Sequence, residues 1–488
     1  MTCYSFAKYI LPLLSVSSLF AGKATSGGIA APVFGSHMVL QRDMPVPVWG
    51  SAKPNRKITV KFAGQEKSTV SDSKGSWSIK LAPMKVSKKG QVMLIVSGEG
   101  TEAKTTMFDD VLIGEVWFCS GQSNMEWTLK KFKKDKVIAA ADHPLLRYNK
   151  SGWQVCSPEV AANFSATAYF FGLNLLNDLK VPVGLINRSA GGTPIEYWMS
   201  KEALFKIPYA REMAQRVNKP DFIQAVKEYN QKRSAYNKAV KAWRQERAKG
   251  NKSLARPKPP ASLAFYSMAE IYRTGRPGRL YRQLVKPVMP YAIRGIIWYQ
   301  GERNGWRDYS AQAYRDQLAA LIRSWRNEWG EGNIPFLYVQ LPNFNAKLWP
   351  VMRESMLECL KVDNTGMAVS IDIGSRKTIH PPNKEAVGKR LALLAMKKVY
   401  GKDVVGESPL LGAMKIEQDK VILSFKNVGS GLVLKPKKTS GFQIAGKDKK
   451  YVPAAVRLIG KDSVELSSAK VASPVSVRYA WAADPDAT

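Results

Sequence analysis

Continuous apolar runs in the middle of the chain constrain its fold more than any other feature. Their β-branched and aromatic residues do not alternate with polar ones, which is the pattern of strands buried on both faces of a parallel sheet. Predicted helices at residues 166–179 and 309–329 lie between them, and this alternation favours an α/β fold with a doubly wound, mostly parallel sheet at residues 109–404. The runs are Val181–Ile186, Ile293–Tyr299 and Met367–Ile373.

Shorter strands are predicted on either side of this domain. Between residues 30 and 108, runs such as Ile58–Phe62 and Trp77–Leu81 are separated at regular intervals by Gly, Pro, Asn, Asp and Ser. This spacing indicates a small β-sandwich. The pattern returns at residues 405–488. We therefore expect β-sandwich regions at both the N- and C-terminal ends.

Residues 201–260 form a basic insertion in the α/β domain. Apolar residues recur at four-then-three spacing from Phe222 to Trp243, with Arg233 in the one polar position. That spacing predicts a helical hairpin or one long helix. Because Lys and Arg crowd the other faces, the insertion is either a lid or anion-binding arm, or a packed element with a solvated basic face.

The charge balance of the chain is strongly basic. Its 488 residues include 74 Lys and Arg against 39 Asp and Glu, which gives a formal net charge of +35. Such a charge attracts anions, including nucleic acids, acidic glycans and anionic cell surfaces. The basic residues are spread along the chain, and neither zinc-finger spacing nor a ribonucleoprotein aromatic motif is present. We therefore expect anionic glycans as partners and no specific nucleic acid.

Residues 1–24 have the composition of a secretory signal peptide. Lys8 precedes an apolar stretch at residues 9–21 that is too short to span a bilayer comfortably, and Ala21 and Ala24 flank a plausible cleavage site. A retained membrane anchor is the alternative. We expect a secreted, periplasmic or cell-surface protein with no transmembrane segment in the mature chain.

Three cysteines, Cys119, Cys156 and Cys359, follow the predicted signal peptide. They allow one disulfide at most, so the fold does not depend on a disulfide framework. Their spacing does not match a metal site, and we expect no bound metal.

A hydroxyl group at the end of a predicted strand is the first candidate for chemistry. The run Val111–Ser120 leads into Gly121–Met125, and Ser123 lies at its C-terminal edge. A strand that stops at such a turn can present a hydroxyl at the rim of an α/β sheet, where ligands bind. Ser123 is therefore either a nucleophile or a residue that only forms the turn.

Three other predicted strand ends carry complementary groups. His380 follows the strand Met367–Ile373, and His is the usual base for a serine hydroxyl. Trp298–Asn304 offers an amide, a glycine and a carboxylate, while Asn187–Pro194 offers glycines whose N–H groups can approach a substrate oxygen. Together these ends predict acyl transfer. The remaining histidines are interpreted as a structural or surface residue (His37) and a solvent-exposed turn residue (His143).

With these motifs, the chain resembles the sialate O-acetylesterase family, within the SGNH-type serine esterases. The resemblance covers nearly the whole chain after the signal peptide, apart from the basic insertion. The matching segments are Asp110–Met125, Gly191–Trp198, Ile297–Glu302, Ile379–Pro381 with Gly388–Ala392, His37–Arg42 and Val477–Trp481.

The resemblance implies a role for each matching position. Ser123 is implied as the nucleophile and His380 as the general base and acid. The backbone N–H of Ser123, a glycine of the Gly191–Gly192 pair (Gly192 preferred) and the side chain of Gln300 are implied as oxyanion donors. No metal or organic cofactor is implied.

The acid behind His380 departs from the family pattern. The family usually carries Asp two residues before the histidine, where this chain has Thr378. Glu302 is the preferred substitute and Asp372 the second, although Glu302 can equally brace the rim by hydrogen bonds. A Ser-His dyad is the third alternative, because losing the acid lowers the rate without abolishing the chemistry.

The implied reaction is the hydrolysis of acetyl esters on sugars, with O-acetylated sialic acids as the expected substrates. The sialic acid carboxylate suits a basic rim. The alternatives are an acetyl-xylan or other polysaccharide esterase, a non-catalytic glycan-binding protein with a degenerate site and, from charge alone, a nucleic-acid-binding protein. The candidate substrate contacts are Arg188, Arg303, Asn304 and Arg353.

Overall fold

The centre of the protein is a mostly parallel sheet, in which only the edge strand β9 runs antiparallel to its neighbour. Its strand order is β13 (Thr365–Ala368), β12 (Phe336–Val339), β11 (Gly295–Tyr299), β7 (Lys104–Gly121), β10 (Val183–Ser189), β8 (His143–Asn149) and β9 (Trp153–Cys156). The computed structural model describes residues 29–251, 253–258, 260, 271–272, 276–306, 308–434 and 441–485. The predicted signal peptide, residues 1–24, lies outside these ranges. The predicted α/β domain with a mostly parallel sheet is confirmed.

The described strands and helices follow each other in this order. The strands are β1 Val39–Gln41, β2 Val46–Ser51, β3 Lys57–Phe62, β4 Gln65–Val70, β5 Ser76–Leu81, β6 Ser87–Ser97, β7 Lys104–Gly121, β8 His143–Asn149, β9 Trp153–Cys156, β10 Val183–Ser189, β11 Gly295–Tyr299, β12 Phe336–Val339, β13 Thr365–Ala368, β14 Leu410–Glu417, β15 Lys420–Lys426, β16 Phe442–Ala445, β17 Val452–Pro453, β18 Ala455–Ile459, β19 Ser463–Ser467 and β20 Ser476–Tyr479. The α-helices are Ser123–Glu126, Asp135–Ala139, Pro158–Ala161, Ala166–Leu179, Lys201–Phe205, Pro208–Val217, Pro220–Ala248, Asp308–Trp329, Trp349–Glu358 and Lys384–Lys398.

The long strand β7 belongs to two sheets. Its first half pairs with β6 and β1 in the N-terminal β region, and its second half pairs with β10 and β11 in the central sheet. The second half is buried at every position from Val111 to Gly121, which explains the continuous apolar run in the sequence. The predicted domain boundary at residue 108 falls inside this strand.

A buried carboxylate fixes the junction between the two regions. Glu115 in β7 is fully buried and accepts hydrogen bonds from Arg42 Nε (2.5 Å), Arg294 Nε (2.8 Å) and the Tyr400 hydroxyl (3.2 Å). Arg42 follows the N-terminal strand β1, Arg294 precedes β11, and Tyr400 follows the helix Lys384–Lys398. One carboxylate therefore connects three separate parts of the chain. Without Glu115, each of the three partners would lose its charged hydrogen-bond acceptor.

The C-terminal β region has its own small core, and hydrogen bonds from an arginine connect it to the α/β domain. Its antiparallel sheets have the orders β14-β15-β19-β18 and β17-β16-β20. Arg353, on the helix Trp349–Glu358, is only 4% exposed and donates to the carbonyls of Ala480 (3.1 Å) and Ala482. Arg353 therefore does not reach a substrate, because C-terminal carbonyls surround its guanidinium.

The basic insertion begins with three consecutive helices, of which Pro220–Ala248 has 29 residues. Phe222, Tyr229 and Val240 are buried on that helix, and most of its other positions are exposed or half-buried. The four-then-three spacing therefore did predict the packed face of a long helix.

The described residues contain no helix that is long and apolar enough to cross a membrane. All three cysteines after the predicted signal peptide are buried and free, and no group of His, Cys, Asp and Glu that could hold a metal ion occurs in the described ranges.

We expect Glu115→Gln to lower the free energy of unfolding by about 2–3 kcal/mol, because two half-buried guanidinium groups lose their charged partner. Urea unfolding of the full chain measures the change. Glu417→Gln is the matched control. Its carboxylate pairs with Lys415 on the surface, and its loss should cost less than about 0.5 kcal/mol. Equal losses for the two variants would contradict the role of Glu115 at the junction.

Candidate active site

The candidate residues lie where three parallel strands end at the same level. In the register of the central sheet, Gly121 of β7 is opposite Ser189 of β10 on one side and Tyr299 of β11 on the other. The chain leaves β7 for β8 and β10 on one side of the sheet and returns to β11, β12 and β13 on the other. Ligands of open α/β sheets bind outside the carboxyl ends of strands at such a switch point. Ser123 lies there, directly after β7.

A close backbone approach places Ser123 at this point. Gly121 has a φ of +138°, and a Cβ atom on it would lie 2.1 Å from the carbonyl oxygen of Tyr299, so only glycine fits. The Gln122 N–H then donates to the same carbonyl (2.9 Å), and the helix Ser123–Glu126 begins. This turn leaves Ser123 7% exposed.

Ser123 and His380, the candidate nucleophile and base, lie within hydrogen-bonding distance of each other. Ser123 Oγ lies 2.8 Å from His380 Nε2. Burial, with the positive charges of Lys384 and Lys131, lowers the pKa of His380 to about 4. The imidazole is therefore neutral at pH 7, and its Nε2 can accept the proton that the Ser123 hydroxyl donates.

The loop that carries His380 is held by its neighbours. Asn124 Nδ2 donates to the carbonyl of Ile379 (3.1 Å), and the His380 N–H donates to Thr378 Oγ1 (3.1 Å). The indole of Trp127 stacks on the imidazole, with ring centroids 3.7 Å apart and planes inclined by 20°. Both the backbone and the ring of His380 are therefore fixed from the segment that carries Ser123.

The structure does not place Glu302 on the imidazole. Glu302 is buried, and its Oε1 accepts a short hydrogen bond from Asn124 Nδ2. Asp372, the second candidate, forms a bidentate ion pair with Arg390, in which both oxygen–nitrogen distances are 2.6 Å. Within the described part of the chain, no carboxylate pairs with the His380 ring. Glu302, the preferred acid from the sequence, therefore contacts Asn124 and not the imidazole, and the amide of Asn124 lies between it and the loop of His380.

A buried lysine completes this arrangement. Lys384 begins the helix Lys384–Lys398, and its Nζ donates to Asn124 Oδ1 (2.5 Å). Burial lowers the pKa of Lys384 to about 7, against the opposing effect of Glu302. Burial also raises the pKa of Glu302, while the hydrogen bond from Asn124 opposes that shift. The amide of Asn124 therefore connects a buried amine, a buried carboxyl group and the loop of His380.

The two glycines predicted as oxyanion donors differ in whether their N–H groups are already hydrogen-bonded. The Gly191 N–H is occupied, because it donates to Glu126 Oε2 (2.8 Å). Gly192 has a φ of +68°, and a Cβ atom there would have no heavy atom within 4 Å, so its backbone borders open space. This arrangement is compatible with the preference for Gly192 over Gly191.

Gln300 does not face the site. Its side chain is fully buried, and Nε2 donates to Asn304 Oδ1 (2.9 Å), Thr193 O (3.1 Å) and Gln122 Oε1 (3.2 Å). The side-chain N–H groups of Gln300, which the sequence predicts as oxyanion donors, therefore donate to buried groups of the fold.

Asn304 and Arg188 are also structural. Asn304 is fully buried and its Nδ2 donates to Glu196 Oε2 (3.0 Å) and Ser310 Oγ (2.9 Å). The Arg188 guanidinium donates to Asn149, through the carbonyl (3.1 Å) and Oδ1 (2.9 Å), and burial lowers its pKa to about 10. Neither side chain is available to a substrate, because each satisfies polar groups within the fold.

Arg303 is the remaining predicted substrate contact. It is half-buried in the loop after β11, and its N–H donates to Gln122 Oε1 (3.3 Å). This bond ties the loop to the residue next to Ser123.

The other two histidines lie outside this group. His37 Nδ1 contacts Asp110 Oδ2 (2.8 Å), which fits the structural interpretation. His143 is not an exposed turn residue; it begins β8 and is half-buried, and burial lowers its pKa.

Sequence reasoning missed Asn124, Trp127 and Lys384. Asn124 and Trp127 lie within four residues of Ser123, and Lys384 lies four residues after His380. Their proximity to the candidate nucleophile and base was the available signal. Their polarity or size alone could not show that all three turn towards the same loop.

Comparisons with known proteins assign this chain to a family. A family model described as carbohydrate esterase, sialic acid-specific acetylesterase matches residues 266–397. The sialate O-acetylesterase of Mus musculus is 27% identical over 533 aligned residues, which cover 96% of this chain and 92% of the mouse protein. The human sialate O-acetylesterase is 26% identical over 535 residues, which cover 98% of this chain and 91% of that protein.

A solved structure supports the same assignment. A carbohydrate acetylesterase from Xanthomonas citri is 31% identical and superposes with a TM-score of 0.74, covering 94% of this chain and 95% of its own. The similarity extends over both the α/β domain and the flanking β regions. The chain therefore belongs to the sialate O-acetylesterase family of carbohydrate esterases, and it is a carboxylic ester hydrolase.

Proposed function

We propose that the protein removes O-acetyl groups from sugars through an acetyl-enzyme on Ser123. The observation that carries the proposal is the 2.8 Å contact between Ser123 Oγ and His380 Nε2. A serine hydroxyl becomes a nucleophile when an adjacent base takes its proton as it attacks. The low pKa of His380 supports this role, since a neutral imidazole is present at pH 7.

In the first step, Ser123 Oγ attacks the acetyl carbonyl carbon and its proton passes to His380 Nε2. The N–H groups of Ser123 and Gly192 stabilise the oxyanion that forms. The imidazolium then protonates the leaving sugar oxygen, and the acetyl group stays on Ser123. In the second step, His380 takes a proton from water, the resulting attack breaks the acetyl–serine bond, and acetate leaves as Oγ is reprotonated.

We further propose O-acetylated sialic acids as the substrates and an SGNH-type arrangement for the α/β domain. Lys131, which lies near Trp127, is a positive group close to His380, and Arg303 lies in the loop whose backbone is bonded to Gln122, next to Ser123. They would favour a sugar that carries a carboxylate. The apolar segment within residues 1–24 supports export to the periplasm, cell surface or medium, where a protein of charge +35 would meet anionic glycans.

A neutral acetylated polysaccharide, such as acetyl-xylan, is the second candidate substrate. The observation that favours it is the placement of Arg188 and Arg353, because both guanidinium groups bind carbonyls of the protein itself. The basic rim is therefore smaller than the sequence indicated.

We expect Ser123→Ala to lower acetate release at least about a thousandfold, because the covalent intermediate cannot form. Mass spectrometry of wild-type protein quenched during turnover should show one added acetyl group on the peptide that contains Ser123. Ser120→Ala is the control. Its hydroxyl donates to the carbonyl of Arg188 on the neighbouring strand, so most activity should remain. Equal acetate release by wild type and Ser123→Ala would favour a non-catalytic glycan-binding protein.

The pH profile should follow His380. We expect kcat/KM to be level from pH 7 to about pH 5 and to fall as the pH drops through about 4, where the imidazole gains a proton. Lys384→Met removes a positive charge and raises the pKa of His380, so the acid limb should move to higher pH. Lys389→Met, an exposed position on the same helix, should leave it in place. An acid limb that does not move in Lys384→Met would contradict this account.

Arg303→Gln should separate the two substrate classes. We expect it to raise KM about three- to tenfold for an O-acetylated sialic acid, the effect of losing one partly exposed ion pair. KM for an acetylated xylo-oligosaccharide should not change. Arg244→Gln, on the exposed side of the insertion, is the matched control. A wild-type enzyme that deacetylates only the neutral substrate would replace sialic acid with the second candidate.

A further inference from the structure

The imidazole of His380 has no carboxylate partner of the kind that a triad supplies in the part of the chain that the structure describes. An acid in a triad fixes the orientation and tautomer of the ring and stabilises the imidazolium that forms. Among the described residues no carboxylate pairs with His380, while Lys384 and Lys131 place positive charge near it. Something else must orient the ring and offset this repulsion when the proton of Ser123 arrives.

Trp127 makes the closest ring contact with the base. Its indole lies almost parallel to the imidazole, with centroids 3.7 Å apart. Its backbone is held at both ends, because the Trp127 N–H donates to Ser123 O (2.9 Å) and the Ala166 N–H donates to Trp127 O (3.0 Å). The ring also packs against Phe132, with centroids 5.6 Å apart. The indole is therefore a fixed surface against which the imidazole can turn only within its own plane.

We propose that Trp127 is the positioning residue that stands in for the missing acid. Its indole face holds the His380 ring towards Ser123 and stabilises the imidazolium by a cation–π interaction while the proton resides on Nε2. This inference rests on the proposed function and deepens it.

The electrostatics of the stack favour the transition state over the ground state. A neutral imidazole gains only a stacking contact from the indole face, whereas an imidazolium is attracted by its negative quadrupole. The interaction therefore strengthens as the proton moves from Oγ to Nε2, which is the condition for accelerating the step. Lys131 Nζ also lies near the indole, 5.0 Å from the ring centroid.

The competing explanation is that Trp127 only fills space beside His380. The two explanations differ in their dependence on the electrons of the ring. Fluorination of the indole withdraws electron density from its face and leaves the shape nearly unchanged, so it weakens a cation–π interaction and leaves packing intact.

The test is site-specific replacement of Trp127 in the full chain by mono-, di- and trifluorinated tryptophan. The measured quantity is the rate of Ser123 acetylation by 4-nitrophenyl acetate, followed by the release of nitrophenolate before steady state. We expect the rate to fall progressively with each fluorine, by about two- to thirtyfold over the series, which is the range of a cation–π interaction. The same series at Trp243, on the helix of the basic insertion, should not change the rate.

A rate that stays constant across the Trp127 series would overturn the inference. Trp127→Phe and Trp127→Leu give a second measure, and we expect Phe to retain more of the acetylation rate than Leu because it keeps an aromatic face. Equal rates in these two variants would also count against it. The Ser123→Ala variant distinguishes the two levels of the proposal. If it still releases acetate, the proposed function fails; if it is inactive and the fluorine series is flat, only the role of Trp127 fails.

Discussion

The alignment of three strand ends at Gly121 is the constraint on which the rest of the site depends. Hydrogen bonding places Ser189 and Tyr299 level with this glycine, and the absence of a side chain lets the chain turn against the Tyr299 carbonyl. Ser123, the glycine pair and the loop of Glu302 are neighbours because of that register. The loop of His380 comes from beyond β13, and the Ser123–Trp127 segment holds it through Asn124 and Trp127.

The arrangement of elements could be predicted largely from the sequence, and the directions of polar side chains could not. Unbroken apolar runs such as that in β7 identify strands covered on both faces, and parallel strands bring their carboxyl ends to one edge. Gln300 and Asn304 show the limit. A polar residue at a strand end gives the same sequence pattern whether its side chain faces a substrate or forms hydrogen bonds with buried groups of the fold. Arg188 lies at the end of β10 and Arg353 on the helix Trp349–Glu358, and the long side chains of both reach carbonyls of the fold.

The charge distribution around His380 explains why its protonation state is suited to a base. Burial of the ring, the positive charges of Lys384 and Lys131, and the lack of a paired carboxylate among the described residues all disfavour the imidazolium. Glu302 does not cancel this effect, because its carboxyl group interacts with Asn124, which also binds Lys384. The result is an imidazole that stays neutral well below pH 7 and depends on the indole of Trp127 when it receives a proton.

The most direct test of this account is nitrogen-15 NMR of histidine-labelled protein. The chain has three histidines, so a His380→Gln variant identifies the signals of His380. The account predicts that the ring is neutral at pH 7, titrates at about pH 4, and shows no low-field Nδ1 proton of the kind that a carboxylate partner produces. A low-field Nδ1 proton together with a pKa above that of free histidine would show that an acid pairs with His380, and would contradict the account.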